Sequence, residues 1–321
     1  MKRKIAACML FMATITSHAA DITNVPADAM AWLQRITGAA QQLNYSGNFI
    51  YQHGQQVETS HITHLQDANG EHEKLVTLDG RPRQIYRNND EVYCFMPDDK
   101  TVMVDRHRVK KSFPALLPPK IADLSEFYEI KLGGQERVAG RECQVIFLTP
   151  KDQYRYGHHL WADMQTGLLL KASTWSEQKQ IVDQFSFTQI KIGGPIDRNE
   201  LKPTLKGKRL VRSTGEGTTQ PLPIDSGWDV SVAPPGFKKV TEMKRVLPGA
   251  SMPVNHIVFS DGLAAASVFI EPVSDKTMLG LSHQGALHVY SRKVGEHQVK
   301  VLGEVPAATV MQIGDAVVYR K

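Results

Sequence analysis

The stretch from Asn44 to Arg106 constrains the fold more than any other part of this chain. It is a run of short strand-like segments, interrupted by turn residues at intervals of roughly eight to twelve residues, the spacing of an antiparallel meander. Tyr45, Gly47, Phe49 and Tyr51 alternate along the first segment and so share one face. His53-Gly54-Gln55 turns the chain into Val57 to Leu65, which Asp67, Asn69 and Gly70 close. Leu75 to Leu78 runs into Asp79-Gly80, which is hairpin chemistry. Gln84 to Arg87, Val92 to Met96 and Thr101 to Val104 complete the run. In Val92 to Met96 both parities are apolar, Val92, Cys94 and Met96 against Tyr93 and Phe95. A sheet with one face in water alternates cleanly instead. Part of this sheet is therefore expected to be covered on both sides.

The surroundings supply candidates for that cover. Ala29, Leu33, Ile36, Ala40 and Leu43 recur at helical spacing behind a start at Pro26 and Asp28, and Met30 and Trp32 widen the stripe. A helix packed on the sheet is expected there. Ser112 to Lys120, SFPALLPPK, reads either as a flap over the sheet or as a loop packed on the core. Strand signals resume at Tyr128 to Leu132, Cys143 to Thr149, Tyr154 to Ala162, Leu168 to Thr174 and Ile181 to Ile192.

A chain of 321 residues has room for two domains at about 150 residues each. The composition shifts between Pro203 and Pro223, where basic residues give way to STGEGTTQPLP. Few apolar residues and much Gly, Thr and Pro describe a linker. The expected division is 1–20 as a signal peptide, 21–202 as the sheet domain, 203–225 as linker and 226–321 as a smaller α+β domain. The leader reading rests on Lys2-Arg3-Lys4, the short apolar run Ile5 to Thr16 and the small residues Ala19-Ala20. Its removal lowers the formal charge from +5 to +2, and the remaining basic residues are dispersed. No nucleic-acid partner is expected.

Three cysteines are present, and Cys94 and Cys143 follow the leader. An exported chain permits a bridge between them. Two buried free thiols are the alternative, and the sequence leaves both open. Neither cysteine has a metal-spaced partner, so no zinc site is expected. His72-Glu73 begins like a zinc-protease motif, but Val76 stands where the second histidine is needed. His61 and His64 are three apart on a strand and so point to opposite faces. There is no nucleophile elbow and no phosphate loop. The reading from residues alone is a binding protein: not an enzyme, with no cofactor. An envelope hydrolase built from residues that converge only in space stays open as an alternative.

Many strings across the chain resemble one family. They are Tyr45-Ser-Gly-Asn-Phe-Ile-Tyr51, Leu78-Asp-Gly-Arg-Pro-Arg83, Asn89-Asp-Glu-Val92, Asp152-Gln-Tyr-Arg-Tyr-Gly157, Leu160-Trp161-Ala-Asp163, Thr166-Gly-Leu168, Gln184-Phe185-Ser-Phe187-Thr188, Pro234-Pro-Gly-Phe237, Ser260-Asp-Gly-Leu-Ala264, Val268-Phe-Ile-Glu271 and Gly303-Glu-Val-Pro306. In order and in register, they are similar to the periplasmic regulators of the MucB/RseB family. The resemblance implies a mostly β fold with α (α+β). Its first domain is a half-open antiparallel β-barrel with helices on its concave side, like the lipoprotein carriers. A smaller α+β C-terminal domain follows.

The resemblance also implies a negative regulator of a sigma-E-type envelope stress response. Such a protein resides in the periplasm, binds the periplasmic region of a single-span anti-sigma factor and protects it from the site-1 protease. Acyl lipid or lipopolysaccharide is implied as the relieving ligand. No catalytic residues carry over. An apolar concavity is expected to use Phe49, Tyr51, Tyr93, Phe95, Leu116 and Leu117, with the linker as hinge. A lipoprotein or lipid carrier is the competing reading. A homo-oligomer is left open.

Overall fold

The computed structural model describes residues 28–80, 82–89, 91–95, 101–105, 113–118, 120–202, 209–212, 225–246, 253–274 and 278–320. The expected signal peptide, Pro26 and most of the expected linker lie outside these residues.

Helix α1 (Ala29–Gln42) opens on Asp28, whose carboxylate accepts the Ala31 N–H at 2.8 Å. Its apolar stripe buries Trp32, Leu33, Ile36, Ala39 and Ala40. The meander follows as β1 (Tyr45–His53), β2 (Gln56–Asp67), β3 (Gly70–Thr77), β4 (Gln84–Asn88), β5 (Glu91–Phe95) and β6 (Thr101–Asp105). After the short helix α2 (Leu124–Phe127) come β7 (Tyr128–Val138), β8 (Arg141–Pro150), β9 (Gly157–Asp163), β10 (Leu169–Trp175) and β11 (Ile181–Ile192). Strand β12 (Arg209–Arg212) lies inside the stretch expected to be linker and pairs in parallel with β6. A basic, Gly- and Thr-rich context hides four residues of edge strand from a reading of composition.

These strands form one open twelve-stranded sheet, ordered β12-β6-β5-β4-β3-β2-β1-β11-β10-β9-β8-β7. It is a half-open barrel with α1 and the 113–127 segment on its concave side. Trp32, Leu33, Ile36, Phe113, Leu117, Ile121 and Leu124 join Tyr45, Phe49, Ile62, Ile146, Leu148 and Phe187 in one core. The convex side is partly covered too: the Lys74 ammonium donates to the carbonyls of Glu200 and Lys202 at 3.0 and 3.1 Å.

The β9–β10 turn shows how the hairpins are locked. The Asp163 carboxylate accepts from Arg141 Nε at 2.7 Å and from the Thr166 N–H and hydroxyl at 2.8 and 2.7 Å. Burial pushes this carboxyl up, but the Arg141 and Thr166 bonds outweigh it and hold it below the usual range. A depressed folded value contributes stability above the unfolded pKa of about 3.9, and the contribution is lost as pH falls through the folded value. Asp163→Asn should therefore lower stability at pH 7 by about 1–3 kcal/mol, in the range of a charge-assisted hydrogen bond. In thermal melts at a series of pH values, the gap between variant and parent should narrow below about pH 4.

The second domain is a six-stranded antiparallel sheet, ordered β14-β15-β16-β19-β18-β17. Its strands are β14 (Lys238–Val246), β15 (Pro253–Ser260), β16 (Ala265–Pro272), β17 (Gly280–Gln284), β18 (Leu287–Val294) and β19 (His297–Gly303). Helix α3 (Ala307–Asp315) covers one face with Val310 and Ile313, and β13 (Trp228–Val230) pairs with β20 (Val317–Tyr319) beside it.

Candidate functional site

Two features stand out in the structure: an aromatic inner face in the first domain, and the junction between the domains.

The inner face is set by register. Phe49 pairs with Phe187 and Tyr51 with Phe185 across β1 and β11. Phe113 lies over them from the Pro-rich segment, with ring centroids 5.3 Å from Phe49, 5.4 Å from Phe185 and 5.0 Å from Phe187. Tyr51 stacks on Phe185 at 4.4 Å. Phe49 is 4% exposed, Leu117 is buried, and Leu116 packs on the same cluster while half-buried. The expected site residues Phe49, Tyr51, Leu116 and Leu117 are thus brought together. Phe113, Phe185 and Phe187 belong with them and were not expected. The Phe-Ser-Phe alternation of β11 was the available signal.

Tyr93 is not part of this cluster. Its strand registers Tyr93 against Tyr86, Tyr86 against Lys74, Lys74 against Thr63 and Thr63 against Ser46. That row lies on the convex face, opposite Phe49, and the Tyr93 hydroxyl donates to Glu91 at 2.6 Å. Phe95 pairs with Gln84 of β4, two register positions beyond Tyr93. Cys94 and Cys143 are both free thiols, on β5 and β8, eight strand steps apart in the sheet. Burial pushes the Cys143 thiol up to about 12.

On the convex face a hollow of about 310 Å³ is lined by Ser46, Asn48, His61, Gln189 and Lys191. Ser46 Oγ lies 3.2 Å from His61 Nε2, and His61 Nδ1 lies 2.6 Å from Asn48 Oδ1. Burial lowers the imidazole's pKa, leaving it neutral at pH 7. A serine, a base and an orienting amide are the nucleophilic half of a hydrolytic site. The other half needs N–H donors aimed at a developing oxyanion. Ser46 lies near the start of β1 but is paired on both sides, by β2 and β11, so the nearby N–H groups are spent on the sheet. The Thr63 hydroxyl also competes for His61 Nε2 at 3.3 Å. The cluster is a set of cross-strand polar pairs.

The junction is centred on Arg155, which has no exposed surface. Asp152 Oδ1 accepts the Tyr154 N–H at 2.9 Å, a turn that ends the extended reading of this stretch and aims Arg155 at the second domain. The guanidinium donates to Asp152 at 3.0 Å, to Asp261 at 2.7 Å and to the Pro235 carbonyl. It lies over the rings of Phe127, Phe237 and Tyr128, at 4.7, 5.4 and 5.6 Å. Asp261 turns its other oxygen to the N–H groups of Leu263 and Ala264 at 2.9 and 2.8 Å. Gly236 is needed because its φ is +80° and a Cβ there would stand 2.6 Å from the Phe127 ring. Thr309 of α3 closes the contact by donating to the Tyr154 carbonyl at 2.6 Å. Among the described residues no group of three or more His, Cys, Asp or Glu could hold a metal ion.

Comparison with known proteins covers both domains. The family profile described as the MucB/RseB N-terminal domain matches residues 28–205, and that of the MucB/RseB C-terminal domain matches 223–318. The sigma factor AlgU regulatory protein MucB of Pseudomonas aeruginosa is 32% identical over 298 residues, covering 89% of this chain and 90% of that protein. The solved complex of Pseudomonas aeruginosa MucA and MucB is similar, with a TM-score of 0.74 at 28% identity, covering 91% of this chain and 99% of that one. A crystal structure of MucB gives a TM-score of 0.65 at 26% identity, covering 91% and 98%.

Proposed function

The chain belongs to the MucB/RseB family, and on that premise we propose that it binds the periplasmic region of a membrane anti-sigma factor and shields it from site-1 proteolysis. The match through both domains carries this reading. The likeness over the whole chain supports it: the TM-score is 0.74 with the relative solved with MucA and 0.65 with a structure of MucB, at similar coverage. Arg155 and Asp261 hold the two domains together in the chain itself. A carrier that only shuttles a lipid has no use for a second domain clamped in this way. The site of action is the periplasm, and no helix among the described residues is long and apolar enough to cross a membrane.

The relieving ligand is an acyl lipid or lipopolysaccharide. Its chains enter the inner face at Phe49, Tyr51, Leu116 and Leu117, displacing the Phe113 ring that now fills the space. Each methylene buried there contributes about 0.8 kcal/mol. A coupling of about 1–3 kcal/mol between lipid and anti-sigma factor suffices for a switch.

Mixing the purified chain with the periplasmic region of the cognate anti-sigma factor tests the reading. The two should co-elute, and cleavage by the site-1 protease should slow at least tenfold, a coupling within the usual allosteric range of 1–3 kcal/mol. Added lipopolysaccharide should restore cleavage. Independent elution would remove the regulator reading. Equal protection with and without lipopolysaccharide would remove only the lipid half.

A further inference from the structure

Sheet edges offer unpaired N–H and C=O groups to any extended chain, and proteins ordinarily guard them with charges, bulges or brevity. Three other edges here are guarded. Strand β14 carries Lys238, Lys239, Lys244 and Arg245 and has a bulge between Lys239 and Thr241. Strand β7 carries Glu129, Lys131, Glu136 and Arg137 and has a bulge between Leu132 and Gln135. Strand β12 has arginine at both ends.

The outer edge of the second-domain sheet is different. Strand β17 reads GLSHQ, with no charge, no proline and an unbroken register from Gly280 to Gln284 against β18. Every residue in it is exposed. Met278, Leu279 and Leu281 expose 80%, 61% and 48% of their surface within four consecutive positions. This run is held in place, since Gln298 donates to the Met278 carbonyl at 3.0 Å. Leu281 registers against Tyr290, whose ring lies under Gly314 of α3, so it continues the apolar face of the sheet to one side of that helix.

The edge also leads to the domain junction. The His283 ring lies 5.7 Å from His288, and His288 Nδ1 lies 3.5 Å from the Tyr156 hydroxyl, the residue after Arg155. The β17–β18 turn at Gly285 comes up against His53 of the first domain.

We propose that the free edge of β17 receives an extended segment of the anti-sigma factor's periplasmic region as a seventh strand of the second-domain sheet. This rests on the anti-sigma reading above and adds the mode of recognition. The segment is uncharged where it crosses β17. It has apolar residues at alternate positions to lie against Leu279 and Leu281, and its end runs toward the junction. Main-chain hydrogen bonds supply affinity and the alternate side chains supply selectivity, as in other strand additions. The relative solved in complex with MucA favours this occupant over a second copy of the chain.

The experiment combines hydrogen exchange with an edge variant of the full chain. On adding the periplasmic region of the anti-sigma factor, amides in 280–284 should gain protection. Leu279→Lys with Leu281→Lys changes only exposed side chains and should keep the parent melting temperature while weakening that complex at least tenfold. An unprotected β17 in a complex that the variant also forms normally would overturn the edge and leave the anti-sigma reading standing. No complex with the parent chain would overturn both. Protection of 280–284 in the chain alone, rising with its concentration, would assign the edge to self-association and overturn this proposal.

Discussion

Replacing Arg155 by alanine should cost about 3–5 kcal/mol, because it leaves the buried Asp261 carboxylate without its counter-charge. Asp261 is 1% exposed and loses the one cation paired with it among the described residues, while the Pro235 carbonyl loses its donor and three aromatic rings lose the guanidinium they enclose. Arg155→Lys should rescue little of this. A compact ammonium does not span acceptors on two carboxylates and a carbonyl as a planar fork does. Calorimetry should show the two domains melting separately in Arg155→Ala. A double-mutant cycle with Asp261→Asn should return a large coupling energy. Losses that simply add would mean that the pair is not what joins the domains. If the arrangement of domains is what the anti-sigma factor recognises, the same variant should bind it more weakly at temperatures where both domains remain folded.

Phe113→Ala should also cost about 3–5 kcal/mol in the absence of ligand, since the ring is buried among Phe49, Phe185 and Phe187 and its loss opens a cavity. The same loss clears the space assigned to an acyl chain. Decanoate or a short-chain detergent should therefore raise the melting temperature of Phe113→Ala more than that of the parent, because binding to the folded state alone stabilises it by mass action. Tyr93→Ala lies on the opposite face and should leave this ligand response unchanged. An equal rise in parent and Phe113→Ala would separate the aromatic cluster from the lipid site.

The meander was legible because turn chemistry and alternation agreed along it. Val57 to Leu65 was expected, and β2 runs Gln56–Asp67. The position of Tyr93 was not legible, for a physical reason. When both parities of a strand are apolar, alternation carries no phase, and the face is fixed only by pairing with β4. Phe113 looked equally like flap and core because its partners arrive from β1 and β11. Arg155 gave no local sign at all. An arginine in a turn beside Asp152 reads as a solvated surface residue, and its other acceptors lie 80 and 106 residues further on. Yet Asp152 to Gly157, Pro234 to Phe237 and Ser260 to Ala264 were among the strings that carried the family resemblance. The structure gives those strings a common cause, since all three meet at this junction.

The pairing of β1 with β11 bears on how the first domain is assembled in time. Strands β1 to β6 pair with sequence neighbours, and so do β7 to β11, so each half can zip locally. The seam between them joins Tyr45 to Ile192 and closes a loop of nearly the whole domain. Pairings between residues so distant in sequence form slowly, because the entropy of closure comes before the contacts that offset it. Until β11 has been made, β1 presents an open edge and an uncovered Phe49, and a nascent chain is exposed there to wrong partners. The closing of that seam is the slow step that a holding chaperone would have to wait for.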